Sequence, residues 1–164
     1  MRIRTGCDED AVGIGRLIAE TYRTYNLSHA DPEEQDRLLG PFRHAFSDLR
    51  EHQDAIRDVV RAPMLYVAET GEDLVGVLRG RDHVLASLFV RGDVHRRGIG
   101  RALVERFERD LRRRGIRWVR VAATLYAVPF YQRLGYKRTT GVRPCHSFDG
   151  TDLRYQPMKK VLNE

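Results

Sequence analysis

The chain predicts an α/β fold, and three observations carry that expectation. Apolar runs of β-like length are interleaved with stretches whose apolar residues recur at helical spacing. One such run, 84–90, passes through a basic, glycine-containing turn into an amphipathic helix. The size and balance also suit a globular unit: 164 residues, 41% hydrophobic and 32% charged, enough to bury a core. Residues 1–164 read as a single domain, with no repeat, low-complexity tract or linker.

The elements follow in order. Residues 2–4 form a short first strand. Asp8 or Asp10 caps a helix running to about Tyr25, in which Ile14, Leu17, Ile18 and Tyr22 repeat at helical spacing. The stretch 26–40 is polar and irregular, with Pro32 as a candidate helix start. Phe42, Phe46, Leu49, Ile56 and Val60 suggest more helix up to the break at Pro63. Residues 64–69 and 74–79 make a hairpin about Thr70-Gly71-Glu72-Asp73. Residues 84–90 give the next strand. A main helix over about 101–114 then buries Leu103, Phe107 and Leu111 on one face, with Val104 beside them. Residues 116–122, 136–140 and 153–162 supply the remaining strands, and 144–150 is expected to be a surface loop.

The segment from Leu88 to Leu103 carries the chemistry. Its glycines lack a Cβ, so a ligand oxygen can approach the backbone closely. The first amides of the following helix have no intrahelical partner and sit at the positive end of its dipole. His95, Arg96 and Arg97 add donors beside them, which together suit a polyphosphate. A dinucleotide fingerprint would need a third small residue where Leu103 stands, and the lysine of a P-loop is absent. The same residues also suit an ordinary strand-to-helix turn with a solvated basic face.

His95-Arg96-Arg97-Gly98-Ile99-Gly100 resembles the acyl-CoA motif of the GNAT superfamily of N-acyltransferases, Gln/Arg-x-x-Gly-x-Gly/Ala, with His95 departing at the first position. Some 30 residues on, the run Thr124 to Tyr136 resembles the superfamily's second signature, Asn-x-x-Ala-x-x-Phe-Tyr-x-x-x-Gly-Phe/Tyr. Ala127, Phe130, Tyr131, Gly135 and Tyr136 match, whereas Thr124 replaces the usual Asn. The resemblance is specific from Gly76 to Tyr136 and architectural elsewhere. It implies the GNAT fold, a central mixed, mostly antiparallel sheet of about seven strands flanked by about four helices.

It also implies an activity: transfer of an acetyl group from acetyl-CoA, as co-substrate, to a primary amine of a small molecule, peptide or protein by direct attack in a ternary complex. On that reading Leu88, Phe89 and Val90 hold the pantetheine arm as a pseudo-strand. The amides of Arg96 through Arg101, among them Arg97, Gly98, Ile99 and Gly100, hold the pyrophosphate. His95, Thr124 and Phe130 complete the cofactor site. Tyr131 matches the tyrosine that protonates the leaving thiolate, and the amide of Val90 polarises the carbonyl. For the base, His83 has a suitable pKa range and Glu69 is a second candidate, while Ala86 stands where some relatives carry a glutamate. The alternatives are a non-catalytic acyl-CoA-binding module and an acetyltransferase acting on an RNA-linked amine.

Other classes fit less well. The net charge of +6 invites nucleic acid, yet the arginines of 101–114 alternate with Glu105, Glu108 and Asp110, a pattern of i, i+4 pairs. No RNA-binding aromatic signature or zinc spacing accompanies them. No run is long enough for a membrane span, and the N-terminus shows no signal-peptide core. Cys7 and Cys145 fit no metal spacing, and as reduced thiols they point to the cytoplasm. No metal is expected. GNAT members often dimerise, so a homodimer is one expected assembly.

Overall fold

The computed structural model describes residues 1–145 and 153–163. In chain order these form β1 (Arg2–Thr5), α1 (Ala11–Tyr25), α2 (Pro32–Leu39), α3 (Arg50–Val60), β2 (Met64–Thr70), β3 (Asp73–Arg81) and β4 (Val84–Val90). Then come α4 (Ile99–Arg113), β5 (Trp118–Thr124), α5 (Val128–Arg133), β6 (Lys137–Arg138), β7 (Arg143–Cys145) and β8 (Leu153–Val161). The sheet has eight strands in the order β1-β2-β3-β4-β5-β8-β6, with β7 also against β8. Every pairing is antiparallel except β4 with β5. This is the expected mixed, mostly antiparallel sheet, with eight strands and five α-helices where about seven and about four were expected; the added strand, β7, is short.

The period-2 alternation of the central strands divides the core into two layers. Tyr66, Ala68 and Leu78 face α4, where they meet Leu103, Phe107 and Leu111. Val67 and Val77 face the other way, onto Ile14, Leu17 and Ile18 of α1 and Ile56 and Val60 of α3. The close approach of α4 depends on Gly80, where a Cβ would stand 2.5 Å from the Phe107 ring.

Several local expectations change. Neither Asp8 nor Asp10 caps α1 with its side chain; Asp8–Asp10 is itself a 3-10 turn. Arg4 donates from both terminal nitrogens to Asp10, at 2.9 and 2.7 Å, and Arg61 pairs with Asp8 at 2.9 Å. Charge-assisted bonds from arginine have taken the carboxylates that a helix amide would otherwise use. Pro32 does start a helix, with Asp31 accepting from the amide of Glu34 at 2.9 Å. The apolar spacing from Phe42 to Val60 is not one helix: a 3-10 turn at Gly40–His44 and α3 flank a gap in which Phe46 and Leu49 are exposed. Pro144 and Cys145, expected in a loop, belong to β7, and 146–150 lie outside the described residues.

One topological detail positions everything that follows. β4 and β5 pair only at Val84 with Arg120 and Leu85 with Val121. Beyond that point each strand keeps its outer neighbour, β3 or β8, but the two part from each other. The sheet is therefore split at its centre, and the split opens toward the start of α4.

Candidate active site

A groove of about 760 Å³ occupies the split between β4 and β5. That volume lies in the range typical of small-molecule and cofactor sites. Its floor is main chain. Arg91 N–H donates to Val75 C=O at 2.8 Å, which makes that pair a hydrogen-bonded one in the β3–β4 ladder. Hydrogen-bonded and non-bonded pairs alternate along an antiparallel ladder. Val90 and Leu88, opposite Gly76 and Leu78, therefore turn their N–H and C=O groups away from β3 and into the groove. An extended ligand can pair with such an edge as an added strand would.

The groove ends at the glycine turn. The first intrahelical bond at this end runs from Ala102 N–H to Gly98 C=O at 3.0 Å, so the amides of Ile99, Gly100 and Arg101 are the unpaired ones of the first turn. Gly98 caps α4 with φ +80°, and no atom stands within 4 Å of where its Cβ would be. That open space before a row of unpaired amides, at the positive end of a fifteen-residue helix, suits a pyrophosphate. Gly100 serves a different purpose: a Cβ there would lie 3.2 Å from the Phe130 ring. Arg96 adopts φ +63°, which turns the chain sharply ahead of Gly98.

Most residues singled out in the sequence meet here. Leu88, Phe89, Val90, His95, Arg96, Gly98, Ile99, Gly100, Arg101, Thr124, Phe130 and Tyr131 all line the groove; Arg97 is exposed and does not. Arg101 is engaged by Glu105 at 2.7 Å. His95 does something unexpected. One ring nitrogen, Nε2, lies 2.6 Å from the Val90 carbonyl, so the imidazole donates to that oxygen. Its ring packs on Tyr25 at 4.8 Å, and Tyr25 in turn meets Tyr126 at 6.1 Å. Tyr126 is hydrogen-bonded with Thr124.

Tyr131 is 5% exposed, edge-on to Phe130 at 5.0 Å and to Tyr136 at 5.4 Å. Burial pushes its phenol well above the ordinary tyrosine range, so it holds its proton throughout the neutral range. The neighbouring Tyr136 donates to Glu108 at 2.9 Å, and Lys160 closes on the same buried carboxylate.

The two candidate bases are not in the groove. His83 precedes β4 at the end remote from the glycine turn, roughly 23 Å of extended chain from Val90. There its ring stacks on Trp118 at 4.0 Å, and its carbonyl accepts from the amide of Arg120. Glu69 sits two strands from β4 and is bonded to Arg4 at 2.5 Å. Both are structural partners, and no aspartate or glutamate lines the groove among the described residues.

Sequence reasoning missed the opposite wall. Ile18, Tyr22, Asn26 and Phe42 line it from the helical side, with Arg79 and Ser87 from β3 and β4. A clue was available in Arg79, a charge that directly follows the apolar run Leu74 to Leu78.

Residues 29–162 match the family described as acetyltransferase (GNAT) domain. No curated protein matches the chain. Among solved structures, a GCN5-related N-acetyltransferase from Rhodopseudomonas palustris aligns with a TM-score of 0.77 at 19% identity, covering 98% of this chain and 95% of that one. PaiA N-acetyltransferase from Thermoplasma acidophilum, in complex with coenzyme A, aligns at 0.73 and 17% identity, covering 98% of each chain. An aminoglycoside 6'-N-acetyltransferase complexed with coenzyme A aligns at 0.63 and 18%, covering 100% of this chain and 98% of that one. The fold is thus shared with these solved structures, and the family match over residues 29–162 shows that the chain belongs to the GNAT acetyltransferase family.

Proposed function

We propose that this protein is an acetyl-CoA-dependent N-acetyltransferase acting on a primary amine of a small molecule or peptide. The observation that carries the reading is the free edge of β4 leading into the unpaired amides of α4. Leu88 and Val90 offer main-chain groups to a pantetheine arm, and the amides of Ile99, Gly100 and Arg101 await the pyrophosphate. The thioester supplies an acetyl group that the neutral amine attacks directly while both substrates are bound. A C–N bond forms, the C–S bond breaks, and the amine's proton must leave.

Two groups of this chain assist. The Val90 amide donates toward the carbonyl oxygen, where charge develops. His95 holds the Val90 carbonyl, in the next peptide unit, and so steadies the end of β4 from which that amide projects. Tyr131 donates its phenolic hydrogen to the departing sulfur and is reprotonated from solvent, which has taken the amine's proton. Its raised pKa suits a donor that is never lost to ionisation at working pH.

With His83 and Glu69 engaged elsewhere, the attacking amine gives its proton to water. That favours amines of low basicity: an α-amino group near pKa 8 is about one-tenth neutral at pH 7, a lysine amine near 10.4 less than about one-thousandth. The rate with a given acceptor should therefore climb with pH up to that amine's own pKa.

Thermal unfolding tests the reading. Acetyl-CoA at about 100 times its Kd should add about 2.7 kcal/mol, a rise on the order of 5–10 °C. Acetyl-pantetheine, without the pyrophosphate, should give much less. Thiol release with an amine panel then reports turnover. Stabilisation without turnover on any amine would favour a binding module, and no stabilisation at millimolar ligand would overturn the reading.

A further inference from the structure

We propose that the acceptor is a small primary amine bearing a carboxylate, held by Arg79 and Ser87 on the wall of the groove opposite α4. The inference rests on the acetyl-transfer reading above and names the substrate class of that site.

Arg79 lies in the middle strand region of β3, directly across from Ser87 of β4. Its guanidinium is fixed. Nε donates to the Val60 carbonyl at 3.1 Å and Nη2 to the Val59 carbonyl at 2.5 Å, while Nη1 stands 3.4 Å from Ser87 Oγ. The two carbonyls occupy the edge of the fork formed by Nε and Nη2. With one hydrogen of Nη1 directed at Ser87 Oγ, one hydrogen on each of Nη1 and Nη2 remains for a guest, the number a carboxylate takes in two bonds.

The charge is also uncompensated. Among the described residues no carboxylate pairs with Arg79, and burial pulls its pKa down with no neighbouring charge to oppose it. Arg79 caps the last carbonyls of α3, but neutral carbonyls do not balance its charge. The other arginines at this end of α3 do have counter-ions: Arg57 pairs with Asp54 and Arg61 with Asp8. A cation held in a half-buried site without a counter-ion is expensive unless a ligand supplies one.

Two further features narrow the class. Asn26 Oδ1 is buried in the same groove without a hydrogen-bond partner, and it can take an N–H or O–H from the acceptor. The lining residues include no aspartate or glutamate, so a polyamine or aminocyclitol would find nothing for its remaining ammonium groups. Ser87 precedes Val90 by three residues, about 10 Å along the strand. A carboxylate at Arg79 and an amine at the Val90 amide therefore span a molecule between an amino acid and a dipeptide in size.

The test is thiol release at saturating acetyl-CoA with alanine, glycylalanine and lysine, each against its C-terminal amide, and with a diamine. The carboxylate form should exceed its amide by tenfold or more in kcat/KM for at least one pair. Arg79→Met should bring that ratio to about one while leaving acetyl-CoA stabilisation unchanged, and Arg79→Lys should fall between. Should Arg79→Met fail to fold, Ser87→Ala is the companion variant, with a several-fold loss of the same ratio. Turnover of amides or diamines equal to or better than that of carboxylates would overturn the inference and leave acetyl transfer standing. Absence of acetyl-CoA stabilisation would instead remove the acetyl-transfer reading itself.

Discussion

The two walls of the groove are built from different materials. On the α4 side the contacts offered to a ligand are main-chain groups: the free edge of β4 and the first amides of α4. On the α1 side they are side chains, Arg79, Ser87 and Asn26, delivered by three separate elements. A backbone wall is insensitive to most substitutions and fails when the chain path changes or a Cβ fills the space. A side-chain wall can be rewritten one residue at a time without disturbing the fold. The first arrangement suits a co-substrate common to a family, and the second suits an acceptor particular to one member.

Tyr131, on α5 where the walls meet, gives the largest expected effect. Tyr131→Phe removes only the hydroxyl, so it should lower kcat by about 10²- to 10⁴-fold while acetyl-CoA affinity holds within twofold. The pH profile sharpens the point. A group with a raised pKa is protonated, and competent as a donor, at every pH below that raised value. Activity lost through its ionisation should therefore appear only above about pH 10. An alkaline limb below pH 9 that disappears in Tyr131→Phe would contradict that placement.

The walls should also differ in what anchors them. The α4 side is tied to β8 through Glu108, whose side chain is 3% exposed and accepts from both Tyr136 and Lys160. Glu108→Ala leaves the Lys160 ammonium and the Tyr136 hydroxyl without that partner and should cost about 3–5 kcal/mol, or about 6–20 °C in Tm. On the α1 side Arg23 and Asp36 form a pair between α1 and α2 with side chains 38% and 56% exposed. Asp36→Ala should move Tm by about 3 °C or less. Equal losses in the two variants would mean that the helical half depends on its surface pairs more than exposure suggests.

The same contrast explains what the amino-acid sequence discloses. The glycine turn is legible because its chemistry resides in glycines, helix start and strand end, all local to Leu88 through Leu103. The α4 and α1 faces are legible because burial follows helical spacing. The acceptor wall is not, since Asn26, Arg79 and Ser87 meet only when β3 and β4 pair beneath α1. His83 misled for a related reason. Its position at the head of β4 is correct, but the sequence does not say at which end of the strand the sheet splits. The Phe42 to Val60 spacing misled because Phe46 and Leu49 continue an apolar period on residues that face solvent.

The smallest effects test the backbone wall most directly. Gly98 has φ +80° and open space beyond its Cα. Gly98→Ala should cost about 1–2 kcal/mol in the folded protein, because a left-handed conformation crowds any Cβ. It should weaken acetyl-CoA binding by about tenfold or more, since the new methyl stands in the space a phosphate would use. Arg96→Ala and Arg97→Ala change exposed side chains in the same turn. If the amides carry the recognition, each should weaken binding only a few-fold, and the difference from the native protein should shrink as salt is raised, because exposed charges are screened. Isothermal titration with acetyl-CoA at low and high salt separates the two cases. Losses at the arginines that match or exceed the loss at Gly98, and that persist in high salt, would show a pyrophosphate held by side chains, and the distinction between the two walls would not hold.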